Sequence, residues 1–350
     1  MSSAPTTVDP SAPEFALAAR APSRIALYLE LAKARLSTLV LLTTAIGFWL
    51  AVAGPIDWAR FAWTLLGTAA CAFGVNALNQ VIETDRDARM IRTARRPLPS
   101  GQLGRGEAIA FGLALTAAGP LLLLFLVNPL TAILGVACEF IYVQLYTPLK
   151  VRTPLNTLVG AVCGAIPPMM GWSGATGGLS LPAWILGGIL FVWQIPHFLA
   201  LAWLYREDYE RGGFRMLPAC DPTGRRTRQY VLVYTATLVP LTLMLWQTGV
   251  VGKTYAFGAI VLGVAFIAMA ARLIHKMTAA HARQAFIASV VYLPLLLALM
   301  AIDRNRPLYF PSLALPPPGQ TPFVVAPASG TLLSSSADAA GVDSFGGDSR

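Results

Sequence analysis

Long apolar runs alternate along this chain with short polar stretches rich in bases. Nine of the runs approach the roughly 20 apolar residues that a helix needs to cross hydrocarbon. They are residues 36–54, 61–82, 107–127, 130–146, 155–172, 182–204, 230–246, 255–271 and 285–302. Being apolar on all sides, they predict membrane helices and not the one-sided helices of a soluble bundle. The fourth run is short and the fifth is rich in Gly and Pro. Breakers such as Pro120, Pro167, Pro168, Pro196, Pro240 and Pro294 are tolerated in membrane helices, where neighbouring groups re-satisfy the freed backbone. The expected fold class is therefore all-α: a polytopic membrane protein with nine transmembrane helices.

Composition agrees. Of 350 residues, 55% are hydrophobic and only 12% charged, and the mean hydropathy is +0.60. A soluble domain carries about a quarter charged residues. These values exclude a soluble enzyme, a disordered chain and a collagen-like one. The 26 bases exceed the 17 acids, giving a net charge of +9. With the N-terminus placed in the cytoplasm, 21 of the bases fall in inside segments and 5 outside. That asymmetry is what the positive-inside rule requires, and a wrong span count would scramble it.

Residues 1–24 lack the apolar core of a secretory signal and read as a disordered cytoplasmic leader. Residues 25–303 hold the nine-helix domain. Residues 304–350, rich in Pro, Ser, Ala and Gly, read as a disordered tail. Of the four cysteines, Cys71, Cys138 and Cys163 lie within spans and Cys220 in an inside loop, a pattern that predicts neither a disulfide framework nor a zinc site.

Polar residues inside a span are costly and point to function. The main cluster closes the second span: Asn79, Glu83 and Asp87, followed by Met90, Arg92, Thr93, Arg95 and Arg96. Steps of four residues place Asn79, Glu83 and Asp87 along one stripe of a helix. Two carboxylates and an amide suit a hard cation such as Mg2+, which binds through a few carboxylates plus substrate phosphates. The bases just beyond suit a polyanion. Acids and bases at a helix end also form plain interfacial ion pairs, and Asp85, Arg86 and Arg89 fit that reading. Asn79 and Glu83 lie too deep for it.

A second cluster sits on the sixth span: Trp193, Gln194 and His197, then Tyr205 and Asp208. Steps of three and four residues put Gln194, His197, Leu201, Tyr205 and Asp208 on one face, so the two clusters are expected to face one cavity. His197 reads either as an interhelical hydrogen-bonding group or as a ligand or proton-transfer group. A third patch comprises Tyr146, Thr147, Lys150, Arg152, Thr153 and Asn156.

These segments resemble the UbiA superfamily of intramembrane prenyltransferases and, within it, the protohaem IX farnesyltransferases. The resemblance rests on Asn79-x-x-x-Glu83-x-x-x-Asp87 with Arg92-Thr93-x-x-Arg96-Pro97-Leu98, on Tyr146-Thr147-Pro148-Leu149-Lys150, and on Trp193-Gln194-x-Pro196-His197-Phe198 followed by Asp208-Tyr209. It covers residues 25–302. Two positions depart from the superfamily pattern: Glu83 stands where Asp is usual, and paired aspartates are reduced to Asp208.

The resemblance implies a UbiA-like bundle that transfers farnesyl from farnesyl diphosphate to a vinyl group of protohaem IX (haem b). It implies Mg2+ on Asn79, Glu83, Asp87 and Asp208. The diphosphate would meet Arg92, Arg95, Arg96, Lys150 and Arg152. Asn156, Gln194 and Tyr205 are further substrate contacts, Tyr146 shields the allylic cation, and His197 ligates or orients the haem. Expected surroundings are a bacterial inner membrane, no nucleic acid, and a haem A synthase as a candidate partner. Two other readings stay open: a UbiA-type enzyme with a quinone-precursor aromatic acceptor, and a secondary transporter, which would place its polar groups near the midplane.

Overall fold

The helix Trp58–Asp87 is 30 residues long, roughly 45 Å at 1.5 Å per residue, whereas the hydrocarbon core is about 30 Å thick. The helix therefore outruns the apolar slab, and its last turns carry Glu83 and Asp87. The structure is a computed structural model, and it describes residues 22–305. The leader and tail expected at the two ends lie almost wholly outside the described residues.

In chain order the helices are α1 (Arg24–Leu31), α2 (Ala34–Ala51), α3 (Trp58–Asp87), α4 (Arg105–Leu126), α5 (Pro129–Leu149), α6 (Asn156–Thr176), α7 (Leu181–Leu204), α8 (Arg206–Arg211), α9 (Arg225–Gln247), α10 (Lys253–His275) and α11 (Ala279–Ile302). Among the described residues, nine of these are long and apolar enough to cross a membrane, as the sequence pattern predicts. Local signals set their starts: Asp57 accepts from the Arg60 amide at 2.9 Å, Asn128 from Thr131 at 2.8 Å ahead of Pro129, and Thr278 from His281 at 3.2 Å. Each cap satisfies an amide that a helix start leaves open.

The short fourth span reaches membrane length because α5 widens into a π-helical stretch over Ile141–Tyr146. The extra residue in that wide turn shifts the helix register and sets the Tyr142 and Tyr146 rings side by side, 5.2 Å apart.

The helices pack by close backbone approach, as expected where lipid removes the hydrophobic drive between them. A Cβ on Gly171 of α6 would lie 1.9 Å from the Thr44 carbonyl oxygen of α2, and one on Gly47 would lie 2.0 Å from that of Pro168. Gly67 and Gly74 of α3 mesh in the same way with Gly112 and Gly119 of α4. The central helix is α7, whose Leu186, Ile189, Leu190 and Trp193 join Leu238, Leu245, Tyr255 and Tyr292 in the main core. Large apolar side chains such as Phe125, Phe257, Val264 and Ile287 point outward, toward lipid.

The alternating spans sort the ends of the bundle. One end is tied by Trp49 to Ala301, Arg60 to Val127 and Asn128 to Ser173. The opposite end gathers the start of α2, the ends of α3, α5 and α7, and the loops between them. The α3 stripe, the Lys150 patch and Asp208 lie there, whereas Gln194 and His197 sit deeper in α7, ten and seven residues before its end.

Candidate functional site

The α3 stripe forms as the spacing predicts. Asn79, Glu83 and Asp87 are all buried, and a cation from a different element meets each. Lys33 Nζ donates to Asn79 Oδ1 at 2.8 Å, Lys150 Nζ to Glu83 Oε1 at 2.7 Å, and an Arg96 guanidinium nitrogen to Asp87 Oδ2 at 2.6 Å. The Asn79 amide nitrogen donates in turn to Thr147 Oγ1 at 3.2 Å. Three oxygen donors and three cations thus alternate along just over two helical turns.

Lys33 is absent from the sequence-derived site. As a base before an apolar run it reads only as a topology signal. The structure puts it in a left-handed conformation, φ 49°, uncommon for a residue with a Cβ. That kink between α1 and α2 turns its side chain inward. Burial, with Arg96 and Lys150 close by, pushes its pKa down to about 7, against the pull of Glu83 and Asp87.

Lys150 also lies over the Tyr146 ring, 4.5 Å from its centroid. The ring face stabilises the ammonium, and a Cβ on Gly160 would collide with the Tyr146 ring. One turn deeper, Tyr142 OH donates to Asn76 Oδ1 at 3.3 Å and Asn76 donates to Ser37 Oγ at 3.2 Å. This polar ladder joins α2, α3 and α5 beneath the stripe.

The second cluster does not form the single face that the spacing suggests. The helix stops at Leu204, and Asp208 lies on the separate α8. Its Oδ1 accepts the Ile91 amide at 3.0 Å and Arg211 at 2.5 Å, and its Oδ2 accepts the Arg92 amide at 3.1 Å. Burial raises the Asp208 pKa, but hydrogen bonds from Arg211 and from the Arg92 and Ile91 amides outweigh it and hold the carboxyl below its ordinary value. With both oxygens engaged, Asp208 clamps the loop that follows the stripe. The resemblance implies a ligand role for Asp208; here its two oxygens hold Arg211 and two amides of the loop after the stripe.

Gln194 and His197 also diverge. Gln194 Nε2 turns to α6, donating to the Leu190 carbonyl at 2.9 Å and the Ala161 carbonyl at 3.4 Å, against Gly164, where a Cβ would strike it. His197 turns to α11, its Nδ1 2.8 Å from Ser289 Oγ. Ser289 donates its own proton to the Phe286 carbonyl at 2.6 Å, so Nδ1 carries the hydrogen and Nε2 keeps a bare lone pair. The ring stacks on Trp193 and packs against Phe286, each at 4.9 Å.

Asn156 is buried, and its amide ties the chain together, donating to the carbonyls of Thr153 at 2.7 Å and Arg215 at 3.0 Å. Arg92 turns away from the stripe, its guanidinium 5.1 Å from the Tyr205 centroid and 5.7 Å from that of Tyr209. Arg95 and Arg152 are exposed.

Among the described residues no three His, Cys, Asp or Glu side chains form a self-sufficient metal cage. The buried donor set of Asn79, Glu83 and Asp87 nevertheless fits Mg2+. That ion takes hard oxygen ligands and completes its shell with water and substrate phosphate.

The pattern of the UbiA prenyltransferase family matches residues 40–299. A protoheme IX farnesyltransferase of Solibacter usitatus is 44% identical over 286 residues, which is 79% of this chain and 98% of the relative. Among solved structures, one described under the biosynthesis of digeranylgeranylglyceryl phosphate synthase in membranes superposes with a TM-score of 0.68 at 18% identity, covering 80% of this chain and 98% of its own. A UbiA homolog from Archaeoglobus fulgidus bound to GPP and Mg2+ gives a TM-score of 0.54 at 16% identity, with 79% and 99% covered. The last two likenesses show the fold.

Proposed function

The chain belongs to the UbiA prenyltransferase family, and we propose that it transfers the farnesyl group of farnesyl diphosphate to a vinyl group of protohaem IX, giving haem O and diphosphate. The observation that carries the transfer chemistry is the alternation of Asn79, Glu83 and Asp87 with Lys33, Lys150 and Arg96 at one end of the bundle. The choice of acceptor is supported by the identity to the Solibacter enzyme over nearly its full length.

Asn79, Glu83 and Asp87 would hold Mg2+. When bound, it supplies positive charge to the diphosphate leaving group. Lys150 and Arg96 then exchange their carboxylate partners for phosphate oxygens, and Lys33 adds a third positive group. These side chains stabilise charge that grows on the leaving oxygen as the allylic C–O bond breaks. The Tyr146 ring, beside Lys150, faces the resulting allylic cation. The acceptor's vinyl π electrons form the new C–C bond, and water adds to the carbon left positive, releasing a proton. Asp208 positions the loop carrying Arg92 and Arg96, and the apolar bundle keeps water from the allylic cation. Orientation follows from the basic end of the bundle: it faces the cytoplasm of a bacterial inner membrane, where soluble diphosphate reaches the stripe.

The test is purified protein with farnesyl diphosphate, Mg2+ and either protohaem or 4-hydroxybenzoate, with products read by mass spectrometry. Haem O formation is the expected result. A prenylated product with the benzoate alone would replace the acceptor, and no product with either would overturn the transferase reading.

A further inference from the structure

Beside the stripe, a cavity of about 460 Å3 opens between the loop after α3, the corner joining α7 to α8, and the start of α11. Two guanidiniums line it, each laid on an aromatic face: Arg92 over Tyr205 at 5.1 Å, and Arg206 over Trp203 at 4.8 Å. Among the described residues neither takes part in an ion pair. Arg211 also lines the cavity but is engaged by Asp208, and the acid Glu207 lies on the same wall.

We infer that this cavity receives the two propionate carboxylates of the tetrapyrrole acceptor, one on Arg92 and one on Arg206. The inference rests on protohaem being the acceptor. A guanidinium stacked on a ring is fixed in plane; one Arg92 nitrogen donates weakly to the Tyr209 hydroxyl at 3.4 Å, and the remaining planar fork matches a carboxylate through parallel hydrogen bonds. Protohaem carries its vinyl groups toward one edge of the macrocycle and its two propionates on the opposite edge. A vinyl carbon turned toward the prenyl diphosphate therefore sends both carboxylates away from the Mg2+ stripe. The placement agrees, because Asp208 holds the Ile91 and Arg92 amides. The arginine of the cavity is thus fixed to the loop whose Arg96 serves the stripe. Repulsion from the diphosphate is avoided by giving each anion its own cations.

The test compares protohaem with its dimethyl ester, using full-length protein in phosphatidylcholine nanodiscs and following the haem absorbance. The free acid should bind at least tenfold more tightly than the ester, the scale of charge-assisted hydrogen bonds. Arg206→Gln should reduce that preference, leaving the share held by Arg92, and raise the KM for protohaem by roughly tenfold. The KM for farnesyl diphosphate should stay within about twofold, which also reports correct folding. Arg206→Lys should recover only part of the preference, since it restores charge without the fork. Equal binding of acid and ester, or an unchanged preference in Arg206→Gln, overturns the inference even while haem O is made. Loss of haem affinity on adding phosphatidylglycerol, abolished by Arg206→Gln without any ester effect, would give the cavity to a lipid phosphate instead. Absence of haem O from the wild-type reaction is a different failure, that of the acceptor reading.

Discussion

Lys150 Nζ sits 2.7 Å from Glu83 Oε1, joining the end of α5 to the end of α3 in a largely buried ion pair. Removing one partner of such a pair leaves an uncompensated charge and costs about 3–5 kcal/mol. Glu83→Gln and Lys150→Met should each lower the melting temperature in detergent and abolish transfer. The double variant should regain much of the lost stability and no activity. Additive losses of stability, or an active double variant, would remove the pair from the site.

Asp85 and Asp87 lie two residues apart on α3 and meet opposite surroundings. Asp87 is 2% exposed and bonded to Arg96, whereas Asp85 is exposed. Asp87→Asn should cut kcat by roughly a hundredfold or more, the scale of losing an electrostatic group from a reacting site. Asp85→Asn should stay within about twofold. A chelator should silence the wild type, with Mg2+ restoring it. Similar kcat values for the two variants would dismiss the stripe.

Lys33 donates to Asn79 from its left-handed turn. Lys33→Met keeps the apolar stem and removes the charge. It should raise the KM for farnesyl diphosphate by about tenfold, the value of one charged hydrogen bond. The KM for the acceptor should hardly change. An unaltered diphosphate KM would return this lysine to a purely topological role.

Asp208 holds two backbone amides at once, which Asn cannot do with a single carbonyl oxygen in the same plane. Asp208→Asn should loosen residues 88–104, seen as faster tryptic cleavage at Arg92 and Arg95, together with a partial loss of kcat. Because its carboxyl is held below the ordinary range, the clamp persists above that range and is lost as pH falls through the lowered value. In the wild type, hydrogen exchange at the Ile91 and Arg92 amides should accelerate relative to its intrinsic rate only under acid conditions. Constant protection in the variant would show that the loop holds itself.

The crossing of α2 and α6 tolerates no side chain. Gly171→Ala would set a Cβ 1.9 Å from the Thr44 carbonyl oxygen, which belongs to the backbone and cannot rotate away. The helices must separate, at a cost of about 1–3 kcal/mol or more. Thermal unfolding should show the loss. Gly54→Ala, where the added carbon meets nothing within 4 Å, is the matched control.

Much of this was legible in the amino-acid order. The nine spans, the acidic stripe Asn79–Glu83–Asp87 and the basic end of the bundle follow from hydropathy and from 3.6 residues per turn. Both are properties of a segment by itself, so they survive without knowledge of its neighbours. Even the breakdown of the second cluster has a local cause: a periodicity argument holds only while the helix continues, and it stops at Leu204 before reaching Asp208.

Which partner each polar group meets was decided by tertiary structure alone. Gln194 and His197 share a helix yet turn to α6 and α11, because neighbours on either side of α7 offer a carbonyl to one and Ser289 to the other. Lys33 reaches Asn79 through a backbone kink, and Arg92 leaves the stripe for two tyrosines. Helix rotation and loop path set these choices. Both depend on how closely distant segments pack, as at Gly47 and Gly171, and no single segment carries that information.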